Sequence, residues 1–201
     1  MTEMTETIFK LLTIAFITIF AENTIFSRAF GTSTLIMVSK RRSKLLIFGL
    51  CITFMTVCTN IIAFFINSLT EDVENIALFR PMIYVVIIGT VYVATLVLLW
   101  QFANNRFTVI KKYVHLSAFN CAVLGALFLS SIYAETLLEY IVFGLGTGIG
   151  FMLAAYFLVI VYDRLCSQKV PLSFRGFPLI MAYLGIVGMA FYGLLGHRLD
   201  F

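Results

Sequence analysis

Charge is scarce in this chain. Lysine, arginine, aspartate and glutamate make up 12% of its 201 residues, where a soluble domain carries about 25%. Hydrophobic residues supply 61%, and the mean hydropathy is +1.02. That composition excludes an ordinary soluble domain and points to a polytopic membrane protein. The net charge of +4 comes from residues at the ends of apolar runs, so it speaks of topology and gives no support for a nucleic-acid surface. Paired cysteines are also missing. Cys51, Cys58, Cys121 and Cys166 form no CxxC, which removes the usual zinc and redox motifs. Cys51 and Cys58 lie two helical turns apart, about 10 Å along an axis and too far for a disulfide, and read as small apolar filler. His115 and His197 fall at membrane boundaries, and Glu139 and Asp163 at helix ends where solvation is expected. No nucleophile–base pair assembles from these residues, so a hydrolase has no support. The opening Met1-Thr-Glu-Met-Thr-Glu6 lacks the basic start of a cleavable signal, and the first apolar segment is expected to stay in the mature protein.

What the chain does have is long apolar runs. They fall at about Ile8–Val38, Leu45–Leu69, Pro81–Phe102, Tyr113–Ser131, Leu137–Tyr162 and Gly176–Gly196. These predict an all-α membrane protein with six transmembrane helices in one integral membrane domain. Asn104–Arg106 and Lys111-Lys112 are assigned to the loop before the fourth span. Ten basic residues fall on one side: Lys40, Arg41, Arg42, Lys44, Arg106, Lys111, Lys112, Arg164, Lys169 and Arg175. Only Lys10, Arg80 and Arg198 fall on the other, with Arg28 inside the first span. The positive-inside rule then puts the basic loops in the cytoplasm and both termini outside.

Two of the runs are interrupted. The first is about 31 residues, well beyond the ~20 that cross a bilayer, and it contains the polar stretch Glu22-Asn-Thr-Ile-Phe-Ser-Arg28 before Gly31. The fourth holds Ser117-Ala-Phe-Asn-Cys-Ala-Val-Leu-Gly125. Glu22, Asn23, Arg28 and Asn120 are costly in hydrocarbon and are predicted to form a buried polar site. A broken span opening each half is the pattern of two inverted three-helix repeats, here about 1–103 and 106–201, with the site between them. In the fifth run, Gly144-Leu-Gly-Thr-Gly-Ile-Gly150 has Ile149 where a nucleotide fingerprint needs glycine. Gly144/Gly148 and Gly146/Gly150 read instead as two overlapping GxxxG pairs for close helix packing.

Several stretches resemble the Rnf/Nqr family of integral membrane subunits, in order and over nearly the whole chain. They are Ala21-Glu-Asn-Thr24 with Gly31 and Val38-Ser-Lys-Arg41, Phe119-Asn-Cys-Ala-Val-Leu-Gly125, Gly144 to Leu153, and Pro171-Leu-Ser-Phe-Arg-Gly176. Within that family the chain is most similar to the A-type subunits of Rnf and the E-type subunits of Nqr. The resemblance implies a subunit, not catalytic alone, of an ion-translocating electron-transfer complex in a bacterial or archaeal cytoplasmic membrane. It implies a homologous inverted sister subunit, and further flavin-bearing and iron–sulfur subunits fed by NADH or ferredoxin. It also implies a two-iron, two-sulfur cluster shared with the sister through one cysteine in each broken helix. Cys121 matches one of these positions. At the other the family motif Gly-x-Cys is here Gly31-Thr32-Ser33, and a hydroxyl is a harder, less acidic donor than a thiol. Three arrangements stay open: Ser33 ligates weakly through oxygen, Cys58 substitutes, or the cluster is absent. Beside the electron-transfer subunit stand two other readings, a cluster-less scaffold of another electron-export system and a small secondary transporter. The resemblance also implies coupling of the electron transfer to sodium or proton transport.

Overall fold

A computed structural model of the chain describes residues 2–40, 45–70, 76–102 and 107–194. The described residues contain eight α-helices and one π-helical turn, with no strand among them. Helix α1 (Thr2–Phe16) runs into the π turn (Ile17–Ala21), and an irregular segment leads to the short α2 (Thr32–Ser39). Then follow α3 (Leu45–Leu69), α4 (Ile76–Phe102), α5 (Phe107–Ala118), α6 (Cys121–Tyr133), α7 (Leu137–Leu165) and α8 (Phe177–Leu194).

Among the described residues, four stretches are long and apolar enough to cross a bilayer: Met4–Ala21, Leu45–Leu69, Ile76–Gln101 and Leu137–Leu165. Helices α5 and α6 make a fifth if taken as one span bent by 49°. The apolar stretch Phe177–Gly193 of α8 is shorter, about 25 Å against a hydrocarbon core of about 30 Å. The architecture is therefore all-helical with four to five spans by length, where the sequence predicts six. Two boundaries also differ from expectation. Lys111 and Lys112 lie inside α5, because the amphipathic run Phe107–Ala118 continues the helix through them. Helix α4 begins at Ile76 and carries Pro81 inside, where the ring removes the N–H that would otherwise bond the Ala77 carbonyl.

The core is organised by α7. Its most extensive partner is α3, and Phe48, Ile52 and Met55 of α3 share the main buried cluster with Phe151, Ala154 and Leu158 of α7. Against the bilayer the helices present bare apolar side chains, such as Leu46, Leu50, Val86 and Met82. Each helix satisfies its own backbone, which makes such surfaces stable in lipid and not in water. A capping box starts α7: Thr136 accepts the Glu139 N–H while Glu139 reaches back to the Thr136 N–H.

Candidate functional site

The first break is built around one amide. Asn23 is 1% exposed. Its Oδ1 accepts the N–H groups of Ile25 at 3.0 Å and Phe26 at 3.4 Å. Its Nδ2 donates to the carbonyls of Ile19 at 2.8 Å and Gly150 at 3.0 Å. One side chain thus replaces the helical ladder that ends at the π turn and ties the break to α7. The segment then turns through Ala29 (φ 57°) and Gly31 (φ 80°) before α2 starts. Gly31 has two reasons to be glycine: its φ is left-handed, and a Cβ there would lie 2.6 Å from Asn120 Oδ1.

The second break is much shorter. Helix α5 stops at Ala118, and Asn120 takes an extended conformation to cap α6, its Oδ1 accepting the Ala122 N–H at 3.0 Å. Cys121 is the first residue of α6 and is exposed. The Gly31 N–H donates to its Sγ at 3.0 Å. The ring of Phe30 covers Gly125. The two interruptions therefore meet: Gly31 of one lies against Asn120, Cys121 and Ala122 of the other. Ser33, two residues beyond Gly31 and in the first turn of α2, is exposed.

Charge gathers beside the first break. Glu22 Oε2 accepts from Arg28 Nη2 at 3.1 Å and Nε at 3.4 Å, and its Oε1 accepts from the Tyr133 hydroxyl at 2.9 Å. The sequence places both charges in a buried polar site. In the structure the Glu22 side chain is 22% exposed and that of Arg28 44%. The reason is that after Phe26 the chain turns outward, so Ser27 through Phe30 lie on the surface. Of the four predicted members, Asn23 and Asn120 are the buried ones.

The sequence profile of the family described as "Rnf-Nqr subunit, membrane protein" matches residues 11–197. The chain belongs to the Rnf-Nqr family. Among its relatives is the A-type subunit of the ion-translocating oxidoreductase complex of Vibrio campbellii, 26% identical over 179 residues, covering 89% of this chain and 93% of the relative. Another is the A-type subunit of the Na(+)-translocating ferredoxin:NAD(+) oxidoreductase complex of Acetobacterium woodii, 25% identical over 181 residues, covering 90% and 94%. The corresponding ion-translocating oxidoreductase subunit of Shewanella sediminis is 24% identical over 179 residues, covering 89% and 93%.

In this Rnf-Nqr chain the four glycines of α7 face two ways. A Cβ on Gly144 would meet Asn60 and Val57 of α3, and one on Gly148 would run into Thr53. A Cβ on Gly146 would meet Thr18 of the π turn, and one on Gly150 would meet Asn23. One pair seats α3 and the other seats the broken first helix. Beneath the breaks, Thr56 Oγ1 donates to the Gly144 carbonyl at 2.8 Å and Ser130 Oγ to Asn60 Oδ1 at 2.9 Å, linking α3 to α7 and α6.

Sequence reasoning missed Tyr133 and Glu139. Nothing near Tyr133 in the chain signals that it reaches Glu22, 111 residues away. Glu139 is 4% exposed and not solvated as its place at a helix end suggests, because its carboxylate caps α7 and holds Lys10 at 2.9 Å. His115 is exposed, with its Nδ1 3.1 Å from the Tyr92 hydroxyl. His197 lies outside the described residues.

Proposed function

We propose that this chain is the A-type subunit of an Rnf-type ion-translocating oxidoreductase complex and helps carry electrons across a bacterial or archaeal cytoplasmic membrane. The observation that carries the reading is the contact between two broken helices, which brings the Cys121 sulfur out to the surface beside Gly31 and the start of α2. Irregular backbone at membrane depth persists only where it is covered by protein or lines a cavity. A homologous sister subunit docked on this face covers it, and each of the two sisters is a pair of inverted three-helix repeats, here about 1–103 and 106–201. The positive-inside count supports both termini outside. Reporter fusions at Ser43 and at the C-terminus should then report opposite compartments.

The site's residues suit half of a shared two-iron, two-sulfur cluster. Cys121 offers an exposed thiol at the N-terminus of α6, its sulfur accepting the Gly31 N–H. Ser33 offers an exposed hydroxyl in the first turn of α2, a poorer ligand for iron than the thiol. In this reading the remaining ligands come from the sister subunit. When bound, such a cluster supplies one-electron transfer. The chain's own part is to hold Cys121 and Ser33 on two rigid helix starts and to orient the sulfur with the Gly31 amide. The test is iron content and the reduced-state paramagnetic signal of the purified complex. Cys121→Ser should abolish the membrane cluster, and Ser33→Cys should strengthen its binding. A starting complex without the signal, or one indifferent to Cys121→Ser, overturns the ligand assignment.

A further inference from the structure

Four helix ends meet at the membrane surface remote from the basic loops, and a polar recess opens among them. Helices α3 and α6 end there at Leu69 and Tyr133, while α4 and α7 begin there at Ile76 and Leu137. The recess has a volume of about 370 Å³ and is lined by Asn67, Ser68, Arg80, Ser131, Glu135 and Tyr140. Phe64 and Ile132 complete its wall. Ile132 is 71% exposed, so on that side the recess opens towards lipid.

Its donors and acceptors are sorted by side. The donors come from α3 and α4. Arg80 is half-buried and takes part in no ion pair among the described residues. It lies about one turn inside α4, where a lone guanidinium at the edge of the hydrocarbon is costly, and its planar fork matches phosphate oxygens. Ser68 is exposed and adds a hydroxyl. Asn67 is held in place, its Nδ2 donating to the Tyr140 hydroxyl at 3.1 Å and its Oδ1 accepting from the Tyr84 hydroxyl at 3.2 Å. The acceptors come from α6 and the turn after it. Ser131 spends its proton on the Phe128 carbonyl at 2.8 Å, so its oxygen is left to accept. Glu135 gives one oxygen to Lys10 at 3.0 Å, and Lys10 is shared with Glu139 at 2.9 Å. Two carboxylates thus share one lysine, and this edge stays net negative.

We propose that the recess binds the headgroup of a phospholipid that carries a primary ammonium, phosphatidylethanolamine. Its phosphate pairs with Arg80 and Ser68, its ammonium with Ser131 and Glu135, and its acyl chains leave past Phe64 and Ile132. Basic pockets between membrane helices hold anionic headgroups, whereas this one offers a charge of each sign. A choline headgroup has no N–H to give to Ser131 and Glu135, and a glycerol headgroup has no positive charge for the acidic edge.

The test follows thermal unfolding of the complex purified in detergent and stripped of lipid, titrated with short-chain lipids. Phosphatidylethanolamine should raise the unfolding temperature saturably, because a ligand that binds only the folded state stabilises it. Phosphatidylcholine and phosphatidylglycerol of the same chains should need about threefold more lipid, and diacylglycerol should give no saturable gain. Arg80→Gln should raise the half-saturating concentration of phosphatidylethanolamine about tenfold, since it removes a charge-assisted contact to phosphate. Glu135→Gln should raise it about threefold, because that carboxylate is largely exposed, without weakening the response to phosphatidylglycerol. If Arg80→Gln does not assemble, the wild-type lipid series decides. Equal responses of wild type to phosphatidylethanolamine and diacylglycerol, or an unmoved midpoint in Arg80→Gln, overturn the site. Inorganic phosphate alone should have no effect, and a gain from it equal to that from the lipid would make this a free-anion site and overturn the lipid. If Arg80 instead serves the acidic run Glu71-Asp-Val-Glu74, or a neighbouring subunit fills the recess, Arg80→Gln lowers stability equally with and without lipid, and the proposal falls.

Discussion

The two breaks carry similar residues and are built differently. Each has an asparagine followed by a glycine: Asn23 and Gly31 in the first, Asn120 and Gly125 in the second. In the first, Asn23 holds two N–H groups and two carbonyls, and the backbone stays irregular until Gly31. In the second, Asn120 holds one N–H and the chain is helical again at once. The glycines differ as well. Gly31 is needed for its left-handed φ and its contact with Asn120, whereas Gly125 is inside α6 and makes room for the Phe30 ring. A symmetric sequence signature has thus yielded an open loop that carries charge on one side and a simple kink that presents a thiol on the other.

The largest effect expected from that difference is at Gly150. Gly150→Leu drives a side chain into Asn23, which lies 2.8 Å from where a Cβ would be, and should abolish assembly of the purified complex. Normal assembly would mean that the first break does not depend on α7. Next, Asn23→Ala strands two buried N–H groups and should cost about 3 kcal/mol or more. Asn120→Ala loses a single helix cap, worth about 1 kcal/mol. Equal losses in unfolding midpoint would erase the distinction between loop and kink. Gly31→Ala adds a left-handed penalty of about 1–2 kcal/mol to a close approach to Asn120. Gly125→Ala meets only the Phe30 ring, which is 37% exposed and free to swing, so its effect should be smaller. The smallest effect is at Glu22 and Arg28. Removing either alone should destabilise more than removing both, since a single change leaves the partner uncompensated, and additive losses in a double-mutant cycle would show that they act separately.

Much of the architecture is legible in the sequence where one local cause dominates. Helix α3 falls at Leu45–Leu69 as expected, since an unbroken apolar run leaves no other boundary. The first break is readable because Glu22, Asn23 and Arg28 interrupt a run too long for one span. The second break falls within the expected stretch 117–125, at Phe119-Asn120, where asparagine caps the next helix. Long-range geometry is not legible in this way. The outward turn that exposes Arg28 depends on Asn23 finding the carbonyl of Gly150, 127 residues away. Glu139 looks like a solvated helix end until Lys10 is brought against it. The composition also does not give the length of the last helix, whose described apolar part, Phe177–Gly193, is shorter than the other apolar helices.

The way α1 is held sets a constraint on biogenesis. Its lysine pairs with Glu135 and Glu139, Thr18 sits in the notch at Gly146, and Asn23 donates to Gly150. Every one of these partners is on α7 or the turn just before it, and the Lys10–Glu135 pair spans 125 residues of chain. Before α7 is made, the first segment therefore enters the bilayer with a lysine that lacks its carboxylate partners and an asparagine that is bonded only within its own segment. Both are disfavoured in hydrocarbon. A nascent chain that ends before Leu137 leaves α1 without its seat, and only translation of α7 supplies the partners that lock α1 and the first break.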